Sequence, residues 1–360
     1  MLLQTPVAAE PASIDDAGTI TVTATRLEDF AAAAARCARG GCATRADVAI
    51  SVSYASALFD QGNYREAKRQ LAAAVTRNRP GAAAEPLAVS QLYAAQATLA
   101  MHEGDQTIVR NATWASRNLL ADRADLPALP RLTAEFRLAD WMLRTGKFSA
   151  AEARYAAITT QARAAGEDDL ADVAELRRAL TLAAMLRRTH SHALLDALAA
   201  RTGPRADDLR RAALATAARL AFVRGDKPAA DGYMARLAAI APGPEPLLVA
   251  APPLPRPRTA ATVALRWVDI GFWVRHDGSV DDAAILRGSD TLDWAQPLLR
   301  YVSARRYARF TPTAASNPAG RYRIERYTLT ADYAVGAGSL IRRRSANPRF
   351  EMMEMSGTEP

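Results

Sequence analysis

Few side chains in this sequence have the type and spacing that chemistry needs. The two cysteines, Cys37 and Cys42, stand in Arg-Cys-Ala-Arg-Gly-Gly-Cys, where the glycines permit a tight turn. A disulfide is their expected use. Closing so short a loop contributes about 2 kcal/mol in the chain-entropy model, and the bond persists only in an oxidising compartment. A metal site would need two further ligands, and none stands nearby; a redox pair usually has two intervening residues. Of the four histidines, His190 and His192 offer two metal ligands without a third and read as a solvated loop, while His276 sits in a turn and is expected to be exposed. No glycine-rich phosphate loop, nucleophile elbow or His-Glu-x-x-His helix occurs. Asp168-Asp169 and Asp281-Asp282 resemble turn and cap acids. Arg342-Arg343-Arg344 could meet phosphates, yet has no aromatic stacking platform close by. The expectation is a protein that is not an enzyme, with no cofactor, no metal and no nucleic-acid partner.

The elements that carry these residues follow from composition and periodicity. A length of 360 residues suggests two domains or three. Apolar residues are 49% and aromatics only 6%. Alanine fills much of the apolar share, which favours closely packed helices. No apolar run reaches the 18 residues of a membrane-spanning helix. Of 46 basic side chains only Lys68, Lys147 and Lys227 are lysines, a skew that fits codon bias. The net charge of +8 is carried by residues 255–350. There the arginines alternate with apolar residues, as on the solvated outer face of a sheet.

Between residues 31 and 241 the pattern is helical and repetitive. Gly62, Gly104, Gly146 and Gly225 each end one apolar-periodic helix and precede another. Glycine supplies the positive φ of a helix C-terminus, and the Asn or Asp beside it at Gly62, Gly104 and Gly225 suits the next turn. Ala55, Ala97, Ala139 and Ala218 stand seven residues before these glycines, where small side chains let helices approach. The pattern, Gly62-Asn-Tyr-Arg-Glu-Ala67 most of all, resembles the tetratricopeptide repeat. Residues 48–81, 132–165 and 211–242 fit best, 90–120 less well, and 171–200 lacks the glycine where Arg188-Thr189 stands. The resemblance implies a helical solenoid that binds protein or peptide in a concave groove. By periodicity Phe59, Met101, His102, Asp140, Arg144, Arg219 and Phe222 project into it; Phe59, Met101 and Phe222 serve as well in the core.

Seven prolines between Pro242 and Arg258 exclude helix and central strand, leaving an extended spacer or a stiff strap across the surface. From there to residue 345 the period changes to two. Val268, Ile270, Phe272 and Val274 mark a half-buried strand, Asp277-Gly278 a hairpin, and Val280–Leu286 its return. A helix carries Trp294, Leu298 and Val302, and Arg321–Tyr333 is another strand. The stretch Ile270–Val280 with Ser289-Asp290, Trp294-Ala295 and Arg309-Phe310-Thr-Pro312 resembles the TonB C-terminal domain, a small periplasmic α+β module. That resemblance implies strand-to-strand pairing with a segment of an outer-membrane transporter, here along Arg321, Tyr322, Arg323, Ile324 and Tyr327. Thr19–Arg26, in an extended or disordered arm over residues 1–30, is similar to the box by which such receptors engage TonB. Residues 346–360 read as a disordered tail.

The fold class expected is mainly α: a tetratricopeptide-like helical solenoid followed by a small α+β TonB-like domain. Met1–Ala9 looks like the tail of a clipped signal peptide, which would place the protein in the periplasm; read literally, the start is cytoplasmic. The functional expectation is a periplasmic scaffold or adaptor for protein or peptide partners. A TonB-type energy transducer or its accessory is the alternative, and a basic nucleic-acid binder ranks behind both.

Overall fold

The structure, a computed structural model, describes residues 27–203, 206–257, 264–289, 291–311, 320–335 and 341–355. Met1–Ala9 and Thr19–Arg26 lie outside the described residues. The chain is mainly helical with a small antiparallel sheet region at its C-terminal end.

Eleven helices come first: α1 (Leu27–Ala38), α2 (Thr44–Asp60), α3 (Tyr64–Asn78), α4 (Pro86–Glu103), α5 (Gln106–Asn118), α6 (Ala128–Arg144), α7 (Phe148–Ala164), α8 (Asp168–Ala184), α9 (Arg188–Ala199), α10 (Ala206–Val223) and α11 (Lys227–Ala238). Each of the five stretches singled out in the sequence is one helix pair, from α2–α3 to α10–α11. Every helix packs on the next, and α2 also meets α4, α6 meets α8, and α8 meets α10. Alanine makes this close stacking possible: Ala67, Ala74, Ala151, Ala174 and Ala213 are wholly buried.

The turns repeat one local solution. Gly62, Gly104, Gly146 and Gly225 all take left-handed φ between 72° and 78°. After three of them a side chain caps the next helix: Asn63 accepts from the Glu66 N–H, Asp105 from Ile108 and Asp226 from Ala229. In the α8–α9 pair, where glycine is missing, Leu186 takes the left-handed conformation instead (φ 58°). His190 and His192 lie in the first turn of α9, not in a loop. Cys37 and Cys42 form a disulfide between α1 and α2, with Cα atoms 4.8 Å apart. Among the described residues no helix is long and apolar enough to cross a membrane.

The rest of the chain builds β1 (Leu248–Ala250), β2 (Arg266–Val274), β3 (Val280–Gly288), α12 (Gln296–Ser303), β4 (Arg306–Tyr307), β5 (Arg321–Val335) and β6 (Arg342–Glu354). The sheet order is β3-β2-β5-β6, antiparallel throughout, and β1 pairs with β4. Gly278 turns the β2–β3 hairpin with φ 85°, while the Asp277 carboxylate accepts from the Ser279 N–H. His276 is half-buried against Phe310, centroids 5.2 Å apart, rather than exposed.

Two expectations need correction, and one choice left open by the sequence is decided. Residues 346–354 are not a disordered tail: with Arg342–Ser345 they form β6, which pairs with β5 from Val335↔Arg342 to Glu325↔Glu354. The proline-rich segment is a strap and not a spacer. Val249 in it is 5% exposed, and the strap's Leu247 and Gly243 carbonyls accept from the Ala308 and Thr311 N–H groups at 2.7 and 2.8 Å. Nor is the second face of the sheet solvated. Val268, Ile270, Phe272 and Val274 pack with α12, Leu298 and Val302, while Trp267 and Leu265 pack from the opposite face onto α2 and α3. The sheet is a middle layer between α12 and the helices.

Candidate functional site

The face of the helical body that meets the sheet is built from the even-numbered helices. At its α2–α4 end the docking is dense. Arg326 of β5 is wholly buried and makes a two-pronged ion pair with Asp269 of β2, both bonds 2.7 Å. Its remaining N–H groups donate to the Phe59 and Asp60 carbonyls at the end of α2. The guanidinium lies over Trp267 (4.2 Å) and Phe59 (5.0 Å). Burial works against its charge, but Asp269 outweighs burial and raises the Arg326 pKa.

Beside it, Thr328 shares hydrogen bonds with Tyr64 Oη (2.8 Å) and His102 Nδ1 (3.1 Å). Burial, with the nearby charges of Arg144 and Arg326, depresses the His102 pKa to about 3, so the ring is neutral. Burial also pushes the Tyr64 phenol up to about 12. The turn glycines let the backbones meet. A Cβ on Gly62 would lie 2.2 Å from the Trp267 ring, and one on Gly104 would lie 2.2 Å from the Ala331 carbonyl oxygen. Neither close approach is expected from the glycine spacing, which explains only φ.

The ends of α4 and α6 also grip the edge strand. Arg144 donates to Glu351 of β6 at 2.6 Å, and Arg342 to Asp105 at 2.9 Å. Arg344 donates to the Glu103 carbonyl at 2.8 Å, and the Tyr333 N–H to the Gly104 carbonyl at 3.3 Å. Arg342 and Arg344 lie 5.2 and 4.9 Å from the Tyr333 ring. An aromatic platform is therefore present, one strand away, and the arginine run serves this contact.

Of the expected groove residues, Phe59 and His102 are buried under the sheet and Met101 packs into the α4–α8 core. Arg144 is spent on Glu351. Asp140, Arg219 and Phe222 fall on the α6–α10 end. There Asp140 accepts from Tyr155 Oη at 2.5 Å and lies 3.7 Å from Arg177. Phe222 is 48% exposed.

The strand-pairing residues divide differently from expectation. Tyr327 is wholly buried on the α12 side, in a network with Arg305 and Glu325. Its backbone pairs on both sides, with Val268 and Met352. An open β5 edge thus fails from Glu325 onward, because β6 occupies it, and the Ile324 carbonyl accepts from the Met355 N–H. The backbones of Arg321, Tyr322 and Arg323 pair with β2 and have no β6 residue opposite them among the described residues, although the Arg323 guanidinium lies 3.5 Å from Glu354 of β6. Arg321 reaches Glu245 at 3.3 Å, Tyr322 packs on Trp273 at 5.0 Å, and Arg323 lies over Tyr307 at 5.6 Å.

Sequence reasoning missed Arg137, Arg177 and Tyr301 on the α6–α10 face. Arg137 and Arg219 are half-buried, and neither makes a hydrogen bond or ion pair among the described residues. Burial lowers the pKa of both, and the like charge of Arg177 adds to the effect at Arg219. Arg137 stands two helical turns before Arg144 on one face of α6, a spacing that periodicity could have found.

No protein-family model matches the chain, and no curated protein does. Among solved structures it is similar to BtubC (BKLC) from P. vanneervenii, with 18% identity and a TM-score of 0.45, over 62% of this chain and 96% of that one.

Proposed function

We propose that this chain is a non-enzymatic scaffold, in which a tetratricopeptide-like solenoid and a TonB C-terminal-like module act together to bind protein or peptide partners. One observation carries the reading: the sheet-side face already holds an extended segment of its own chain. The ends of α4 and α6 grip β5 and β6 through backbone carbonyls, a backbone N–H and the Arg144–Glu351 pair. A surface that binds an internal strand this way has the chemistry to bind an external one along α6–α10.

The strand–strand–helix–strand order with the Asp277-Gly278 hairpin supports the TonB-like reading of the small module. Its pairing edge is taken by β6 from Glu325 onward, which favours a scaffold over an energy transducer. The Cys37–Cys42 disulfide supports a periplasmic setting.

The test is photo-crosslinking in living cells from a reactive side chain at Phe222, with exposed Arg45 as control. A discrete protein adduct from Phe222 and none from Arg45 is the expected result; none from Phe222, or equal labelling from both, overturns the proposal. Thiol trapping in intact cells tests the compartment: Cys37 and Cys42 are expected oxidised, and free thiols would place the chain in a reducing one.

A further inference from the structure

On the α6–α10 face two arginine charges, those of Arg137 and Arg219, are answered by no described residue. Arg137 and Arg144 project from one face of α6, seven residues apart. Arg177 of α8 reaches Asp140 only at 3.7 Å. Arg219 of α10 is near enough to feel the charge of Arg177 and the ring of Tyr301 from α12. Arg144 has Glu351 and Arg177 has Asp140, so among the described residues of this face two cations, Arg137 and Arg219, are left over. A half-buried guanidinium without a protein partner gives up part of its hydration, which a carboxylate from outside would make good.

We infer that this face binds an extended, acidic peptide segment of a partner, with Arg137 and Arg219 each receiving a carboxylate and Arg177, which Asp140 meets only at 3.7 Å, taking a third. The inference rests on the scaffold reading above and names the class of ligand. Two observations decide between an extended peptide and a small anion. The arginines stand on three successive inner helices rather than around one point, and packed helices lie about 10 Å apart. In the polyproline II conformation an extended chain rises about 3.1 Å per residue with three residues per turn, so every third side chain faces the same way and would meet the next helix. The second is continuity: the strand carboxylate Glu351 already answers Arg144 on the same face of α6 that carries Arg137. Phe222, one turn beyond Arg219 and exposed, would cover an apolar side chain between the acids.

The test uses the full chain and a fluorescein-labelled decapeptide with Glu at every third position among alanines, followed by anisotropy. A decapeptide with Gln in place of Glu, and inorganic pyrophosphate as competitor, are the comparison probes. The Glu peptide is expected to bind at least tenfold tighter than the Gln peptide and to weaken with added salt. Arg137→Gln and Arg219→Gln should each weaken it about tenfold, while Arg45→Gln leaves it unchanged. Both Gln variants should melt at or above the parent temperature, because each removes an unanswered cation. Equal binding of Glu and Gln peptides, or unaltered binding in both variants, overturns the inference. Full displacement by micromolar pyrophosphate would mean a small-anion site and overturns the peptide. A crosslinked partner at Phe222 with no preference for the Glu peptide would sink this inference alone, while no adduct from Phe222 would sink the scaffold reading.

Discussion

At the α2–α4 end of the sheet-side face, the buried guanidinium and the turns are occupied: Arg326 has Asp269 and two carbonyls, and Gly62 and Gly104 give way to a tryptophan ring and a strand. At the α6–α10 end the same architecture continues, but among the described residues nothing comes within 4 Å of a Cβ on Gly146 or Gly225, and Arg137 and Arg219 have no partner. The two ends share helix spacing, turn chemistry and alanine packing. They differ in whether the chain supplies its own occupant. A repeat pattern therefore tells where one face of the helical body runs, and long-range contacts decide how much of it the chain itself covers.

The largest effect should come from breaking the filled end. Arg326→Ala leaves Asp269 buried beside only Arg287, whose side chain is half-exposed. Removing one member of a buried pair costs about 3–5 kcal/mol. Urea unfolding should show a loss of that size, against less than 1 kcal/mol for Arg219→Ala on the open end. Equal losses would erase the distinction between the two ends.

Gly104 and Gly146 sharpen it further. Both have left-handed φ, 78° and 75°, so alanine at either costs about 1 kcal/mol from the backbone alone. At Gly104 the added Cβ also meets a carbonyl oxygen at 2.2 Å, and forcing the strand away adds roughly 1–3 kcal/mol. Thermal melts of Gly104→Ala and Gly146→Ala should differ accordingly; identical shifts would mean that the sheet does not rest on the α4 turn.

Acid should loosen the filled end first. His102 titrates near 6.5 when unfolded and at about 3 in the fold. A depressed pKa gives stability that is complete above pH 6.5 and declines as pH falls toward 3. By pH 5 the loss is about 2 kcal/mol. For Asp105 burial opposes the charge, but its bonds to Arg342 and the Ile108 N–H outweigh burial and hold its pKa below the ordinary carboxylate value, so its contribution is present above that ordinary value and is lost as the pH falls below it. His102→Gln should flatten the stability profile between pH 7 and 5. A slope unchanged by that substitution would place the proton uptake elsewhere.

Local signals carried far in this sequence, and distant ones did not. The five helix pairs were legible because each turn declares itself through a glycine and a capping Asn or Asp within a few residues. The hairpin at Asp277-Gly278 and the alternation from Val268 to Val274 were legible for the same reason. β6 was not, since Arg342–Glu354 contains Pro348 and little alternation. Such a segment is tolerated at a sheet edge, and Pro348 sits next to a register shift opposite Ala331. Arg326 read as one more outer-face arginine, because its burial depends on Phe59 and Asp60, more than 260 residues away. Phe59, His102 and Arg144 of the expected groove residues face the sheet and Met101 turns into the core; which of them stay accessible depended on a strand taken for a tail.

The smallest effect tests the repeat itself. In the α8–α9 pair the turn falls at Leu186, which takes φ 58° with its side chain 75% exposed. Leucine in that conformation is strained by roughly 1–2 kcal/mol and recovers nothing by burial. Leu186→Gly relieves the strain but frees the unfolded chain, which offsets part of the gain. The net expectation is a stabilisation of about 0.5–1 kcal/mol in urea unfolding. The opposite substitution in the equivalent turn, Gly146→Leu, should destabilise by a similar amount or more. If Leu186→Gly instead destabilises, the leucine is held by a contact, and the exposed end of α8 would belong with the filled part of the face rather than the open one.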